Sequence, residues 1–220
     1  GDEGQRKLQI ASSLEVPISD SGKAIFQSIT NAGRLDALMD LSAAAGSTLS
    51  ASAPLVQDEG AFSGAQPFPA AGVDIVFGNP DASSYEIFEI GVAAPAPVLT
   101  TGTVDTDPDT GDQLVFRGVS IIFNGSSVGG ERLQVTADPT RQKQGILDTI
   151  ATLRRTLADP ASSSAQIRDT VAIGLTNLDN GMVNVDGVRG AIGARLNVIE
   201  TTQTDNEDVS LVNKSIQAEL

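Results

Sequence analysis

Cysteine and histidine are absent from this chain, and so is tryptophan. Without them there is no thiol nucleophile, no imidazole base, no disulfide and almost none of the structural zinc sites that proteins use. Aromatic residues make up only 4% of the sequence, so any core must be aliphatic. No stretch reaches the roughly 18 apolar residues that a spanning helix needs, and the first residues carry no basic and apolar export signal. Positive charge is scarce too: 14 Lys and Arg stand against 28 Asp and Glu, a formal net charge of -14. That balance repels phosphate backbones and anionic headgroups, which argues against nucleic acid and membrane as partners. What remains is 220 residues with 40% hydrophobic content, enough to bury one or two cores.

The last third of the chain has an apolar stripe at helical spacing. Val171, Leu175, Leu178, Met182, Val185, Ile192, Leu196 and Ile199 step by alternating fours and threes, with Arg189 as the one interruption. After the polar stretch Thr201 to Asp208, a second stripe of Val209, Val212, Ile216 and Leu220 runs to the last residue. No Gly, Asn or Pro closes it, so the chain reads as a piece of a longer protein; with its net charge of -14 opposing association and the terminal contacts absent, the piece by itself is expected to be a monomer. The spacing predicts that residues 167–199 form a core and that 209–220 await further chain. Leu196 is then buried, and Leu196→Ala costs roughly 2 to 5 kcal/mol. Gly174, Gly181, Gly187, Gly190 and Gly193 lie in this helix at about 1 kcal/mol each relative to Ala. Gly174 and Gly181, one heptad apart, predict that a neighbouring backbone approaches there, in close packing against another helix.

Upstream, the chain changes character near residues 31 and 139. Leu8 and Ile10, then Leu14, Val16 and Ile18, alternate with polar residues about a turn-like Ala11 to Ser13, as in a β-hairpin with Pro17 on an edge strand. Lys23 to Ile29 predicts a short helix, and Arg34 to Ala45, with Leu35, Leu38, Met39 and Leu41, a second. Residues 46–70 have no period and read as loop. From Val73 the period becomes two: Val73, Ile75 and Phe77; Tyr85 and Ile87; Leu114 and Phe116; Val119, Ile121 and Phe123; Leu133 and Val135. Turn residues such as Asn79-Pro80, Asn124-Gly125 and Gly129-Gly130 bound these runs, which indicates a β-sandwich or barrel-like module. Asp138 and Pro139 suit the cap and first position of a helix carrying Ile146, Ile150, Leu153 and Leu157. Ser163 with Gln166 has the spacing of a capping box for the long helix. The fold class is therefore α+β: a helical rod domain with a β-hairpin, discontinuous in sequence (1–30 and 139–220), plus an inserted mainly-β domain (31–138).

Chemistry finds little purchase in these residues. Asp105 to Asp112 places four carboxylates like a calcium loop. However, its glycine falls one place late for an EF-hand, Pro108 stiffens it, and Phe116 stands where a bidentate Glu is needed. Lys7, Lys23, Lys143 and Lys214 occupy polar contexts with no nucleophile elbow nearby. No catalytic, cofactor or metal residue is assigned, and the chain reads as a structural protein rather than an enzyme.

Two helical flanks around a β module resemble the flagellin family of axial proteins. Val188-Arg-Gly-Ala-Ile-Gly-Ala-Arg-Leu-Asn197 is similar to the C-terminal helix shared by flagellins and hook-filament junction proteins. Gln5-Arg-Lys-Leu-Gln-Ile10, Val16-Pro-Ile-Ser-Asp-Ser-Gly22 and Phe26 resemble the hook-associated proteins of type three more than filament flagellin. Ser84-Tyr-Glu-Ile87, Phe116-Arg-Gly-Val-Ser-Ile121, Gly125-Ser-Ser-Val-Gly-Gly-Glu131 and Ile146-Leu-Asp-Thr-Ile-Ala-Thr-Leu153 are similar to that group too. The resemblance implies export through the flagellar apparatus with an export chaperone and an extracellular place in the flagellum. It implies a ring of copies between another hook-associated protein and flagellin. Filament flagellin itself and a bacterial surface adhesin module are the alternatives.

Overall fold

The two periodicities of the sequence become two kinds of structure. The computed structural model describes residues 4–11, 14–105, 107 and 110–219. In chain order these form β1 (Lys7–Ala11), β2 (Leu14–Pro17), α1 (Gly22–Phe26), β3 (Ile29–Thr30), β4 (Leu35–Asp40), β5 (Ser50–Ala51), β6 (Leu55–Val56) and α2 (Glu59–Phe62). Then follow β7 (Val73–Phe77), β8 (Ser84–Glu89), β9 (Thr100–Thr103), β10 (Asp112–Phe116), β11 (Val119–Asn124), β12 (Arg132–Ala137), β13 (Lys143–Gln144), α3 (Ile146–Ala158) and α4 (Ser164–Glu219). The mixture is that of an α+β protein. By its internal contacts the chain forms two compact units, Gly1–Ile29 with Gly145–Leu147 and Leu178–Leu220, and Thr30–Gln144 with Asp148–Asn177.

The second unit carries the β-rich core. One antiparallel sheet has the order β4-β12-β7-β8-β9, and in another β10 and β11 are extended by β5 and β6. Alternate residues of both sheets point into a single apolar core, which is what period-two patterning with β-branched and aromatic side chains dictates. Ile75, Ile87, Leu133, Val135 and Phe123 are at most 1% exposed. Phe123 lies edge-on to Phe77 at 5.3 Å, and Tyr85 flanks both rings. Turns between strands follow the expected chemistry. Gly125, after Asn124, has φ +88°, and a Cβ there would sit 2.3 Å from the Thr48 carbonyl oxygen, so only glycine fits.

Among the described residues of this unit, the buried charges are hydrogen-bonded. Arg34 is 3% exposed. It forks onto Glu59 at 2.7 and 2.9 Å, donates to the Asn31 carbonyl, and stacks 4.3 Å above the Phe62 ring. Glu131, fully buried, accepts from Val128 N and Ser127 Oγ and so closes the loop that precedes β12. Asp138 accepts from Thr140 Oγ1, Thr140 N and Arg141 Nε at 2.6 to 2.8 Å. Those donors, the Thr140 hydroxyl first, pull its pKa from the ordinary 3.8 to about 2. A carboxylate with a depressed folded-state pKa stabilises the fold above about pH 4, and that contribution is lost as pH falls toward 2. Thermal melts of the parent and Asp138→Asn should differ most at pH 5 and converge near pH 2.

The first unit holds the hairpin. β1 and β2 pair antiparallel with Lys7 opposite Pro17 and Leu8 opposite Val16; Val16 is buried, and residues 12 and 13 of the expected turn lie outside the described residues. Ser21 caps α1, accepting from Ala24 N. Asp20 accepts from Gln5 Nε2 and from both terminal nitrogens of Arg195. Arg195 above all, then Gln5, lowers the Asp20 pKa.

Several expectations are corrected. Arg34 to Ala45 is not a helix: Leu35–Asp40 is β4, paired with β12 along its whole length. Leu35, Leu38, Met39 and Leu41 have helical spacing, but the inward set is Leu35 and Met39 in a strand phase, and Leu38 is left 66% exposed. Pairing with a neighbouring strand overrides local spacing. Residues 46–70 are not all loop, since β5, β6 and α2 fall there. Lys23 to Ile29 yields only the short α1, and its end enters β3. Asp138-Pro139 begins no helix. Asp138 instead binds Thr140 and Arg141 in a turn, and α3 starts at Ile146. In β9, Thr100–Thr103 forms a strand that no apolar alternation announces.

Candidate assembly surface

A 56-residue helix dominates the surface chemistry of the chain, and its start is set locally. Gln166 N donates to Ser163 Oγ while Ser163 N donates to Gln166 Oε1, the reciprocal pair of a capping box. From there α4 runs without a break through Asn177 to Gly187 and through the polar stretch 201–208.

The side of α4 that is packed is not the apolar one. Thr170, Gly174, Asn177, Gly181, Asn184, Val188, Ala191 and Arg195 alternate in steps of four and three and are buried or half-buried. In the β-rich unit, Leu153 fills the space over Gly174, and Ala32 N donates to Asn177 Oδ1 at 2.7 Å. In the hairpin unit, Ile146 and Ile29 pack over Gly181, and Asn184 Nδ2 donates to the carbonyls of Ala24 and Ile25. The heptad glycines thus admit side chains, of α3 over both and of β3 over Gly181, rather than the helix backbone that their spacing predicts. Small residues bring neighbours close, and polar residues between them satisfy backbone groups that no strand or helix pairs.

One residue further round, about 100° on the helix, lies the apolar stripe of the sequence. Leu175, Met182, Ile192 and Leu196 are 57%, 64%, 44% and 53% exposed, while Leu178, Val185 and Ile199 are half-buried. Beyond them Val209, Val212 and Ile216 are all more than half exposed. The expected burial of Leu196 is therefore overturned, and residues 167–199 are not a core stripe: the phase is displaced by one residue. Heptad pairs Gly174 with Gly181 and Asn177 with Asn184 signal the packed row, but a search for apolar period passes over them. On the same unit Leu8, Ile18 and Phe26 are each about half exposed. Scattered apolar residues are ordinary on a surface, but those of α4 form a row at helical spacing.

The other candidates resolve into local structure. Asp105 Oδ1 accepts from Asp107 N, Asp105 Oδ2 from Thr110 Oγ1, and Asp112 Oδ2 from Asp105 N, so the loop carboxylates bind their own loop. Thr106, Pro108 and Asp109 lie outside the described residues, among which no group of three Asp or Glu could hold a metal ion. Millimolar calcium should leave the melting temperature unchanged, and a saturable rise of several degrees would restore the metal reading. All four lysines are exposed, and Lys143 Nζ donates to Thr30 Oγ1. A cleft of about 290 Å³ in the β-rich unit is bordered by Asn31, Arg141, Thr149, Thr170 and Asn177. Among the described residues every buried side-chain polar atom has a partner. No described helix is long and apolar enough to cross a membrane.

No protein-family model matches the sequence, and no curated protein is significantly similar to it. Solved structures are similar in fold. The Xanthomonas campestris FlgL crystal structure matches with TM-score 0.61 at 19% identity, over 100% of this chain and 66% of that one. Flagellar hook associated protein-3 from Legionella pneumophila matches with TM-score 0.62 at 21% identity, over 100% of this chain and 65% of that one. A second Legionella pneumophila structure, of the flagellar junction protein FlgL, matches over 98% of this chain with TM-score 0.57 at 20% identity. The chain spans about two thirds of the length of these structures. Over its whole length, then, it has the fold of the flagellar hook-associated protein 3 structures.

Proposed function

We propose that the protein is a structural axial component of the bacterial flagellum, a mechanical adapter that joins the hook-associated ring to the flagellin filament. The observation that carries this reading is the unpartnered apolar row of α4, at helical spacing on a chain whose fold is that of flagellar junction proteins throughout. An enzyme would need convergent titratable groups in a cleft; an adapter needs a long helix with one face held and another free to bind. The hairpin and the long helix form the helical rod domain, and the β-rich region is inserted in it as a side domain. Another hook-associated protein lies on one side of the ring and flagellin on the other, with copies of the chain between them. An export chaperone covers the adhesive surface before secretion, the protein acts outside the cell, and it is monomeric until it meets the growing structure.

Because the chain has no cysteine, a single one placed at exposed Leu38 can carry a gold label. Electron microscopy of labelled cells should show one cluster of gold at the boundary of hook and filament. Gold along the filament would make the protein a flagellin, and gold on the cell envelope would make it an adhesin.

A further inference from the structure

The packed row of α4 does more in the β-rich unit than fill space. Two backbone N–H groups that no strand pairs, Ala32 N and Ala53 N, donate to side chains of the helix: to Asn177 Oδ1 at 2.7 Å and to Asp169 Oδ2 at 2.8 Å. Between these points Ile173 lies against Gly33. A Cβ at residue 33 would come within 2.8 Å of Ile173 Cγ2, so the side chain fits only because that position is bare. Asn177 is 3% exposed and its amide also donates to Asn31 Oδ1; Asn31 in turn accepts from Gly33 N and donates to the Arg141 carbonyl.

We propose that Asp169, Ile173 and Asn177 form a register lock, which fixes α4 axially against the β-rich unit and stops it from slipping by a turn. At a rise of about 1.5 Å per residue, the two acceptors stand about 12 Å apart along the helix, with the Ile173 notch midway. Packed helices can ratchet past a neighbour by one turn when side chains of similar shape replace one another. Here they cannot. A slip of three residues presents Ala172 with Asn180, or Gln166 with Gly174, to the two N–H groups; a slip of four presents Ile173 with Gly181, or Ala165 with Ile173. None supplies a side-chain acceptor at both points, so each slip leaves the half-buried Ala53 N, the buried Ala32 N or both without a side-chain partner. A single buried Asn specifies register in coiled coils by the same logic. The lock does not depend on the flagellar reading, since it is a property of the unit alone.

Two measurements test it. In the parent, the Ala32 and Ala53 amides should exchange hydrogen only through global unfolding; exchange through local opening, at the rate of exposed loop amides, overturns the lock. Spin labels at Leu175→Cys and Leu38→Cys, both exposed and in a chain without native cysteine, report the position of the helix. The parent should give one narrow distance. Asp169→Leu combined with Asn177→Leu should broaden it or add a population displaced by about 5 Å, one helical turn. A double variant with parental circular dichroism and an unchanged narrow distance overturns the proposal. If that variant does not fold, the exchange experiment on the parent decides alone.

Discussion

Replacing Met182, Ile192 and Leu196 together by Gln should leave the protein as stable as its parent and yet abolish filament growth. All three side chains are 44% to 64% exposed, and substitutions at such sites ordinarily change stability by about 0.5 kcal/mol or less. Gln is a good helix former, adds no charge, and removes the apolar contact that assembly would bury. Complementation of cells lacking the native protein, read as swimming and as filaments per cell, measures the second effect; thermal melts measure the first. Normal filaments on the triple variant would remove the row from the assembly surface. A melting temperature lowered by ten degrees or more would return it to the core.

Phe123→Ala should be the most damaging single truncation in the β-rich unit. The side chain is 1% exposed and holds Phe77 edge-on, with Tyr85 beside it. Buried Phe to Ala changes cost about 3 to 5 kcal/mol, because lost transfer energy is compounded by a cavity that rigid neighbours do not fill. For a chain of this size that is a drop of roughly 6 to 20 °C in melting temperature. Tyr85 is the only tyrosine and there is no tryptophan, so intrinsic fluorescence reports on this core and on nothing else. A fluorescence-detected transition within 2 °C of the parent would show that the sheet residues repack, contrary to the packing described above.

Where burial follows from alternation, the sequence is a faithful guide. Val73, Ile75 and Phe77, or Val119, Ile121 and Phe123, can be placed because one face of each strand is apolar and the turns beside them carry glycine or proline. β4 is misleading because four apolar residues within seven satisfy both a helical and a strand period, and only the complementary strand β12 decides between them. β9 is silent because its Thr-Thr-Gly-Thr run owes its place to Tyr85, whose ring lies where a side chain of Gly102 would be. Asp138-Pro139 has the residues of a helix cap, but the same carboxylate serves a turn equally well when Thr140 and Arg141 follow. In α4 the error is one of phase: hydrophobicity marks the face that is open, whereas glycine, asparagine and arginine mark the face that is closed.

At Gly187, Gly190 and Gly193 nothing beyond the neighbouring backbone of α4 itself lies within 4 Å of where a side chain would begin, so packing does not explain them. Together with Gly174 and Gly181 they lower the intrinsic helicity of α4 by about 5 kcal/mol relative to alanine. A peptide cut from residues 164–219 would therefore be mostly coil in water, its longest regular element dissolved. From Thr170 to Arg195 the helix is held by what it lies against. Whatever strips the hairpin and the β-rich sheets away also removes what holds the packed part of the helix, so the longest regular element of the chain is also one of its least independent.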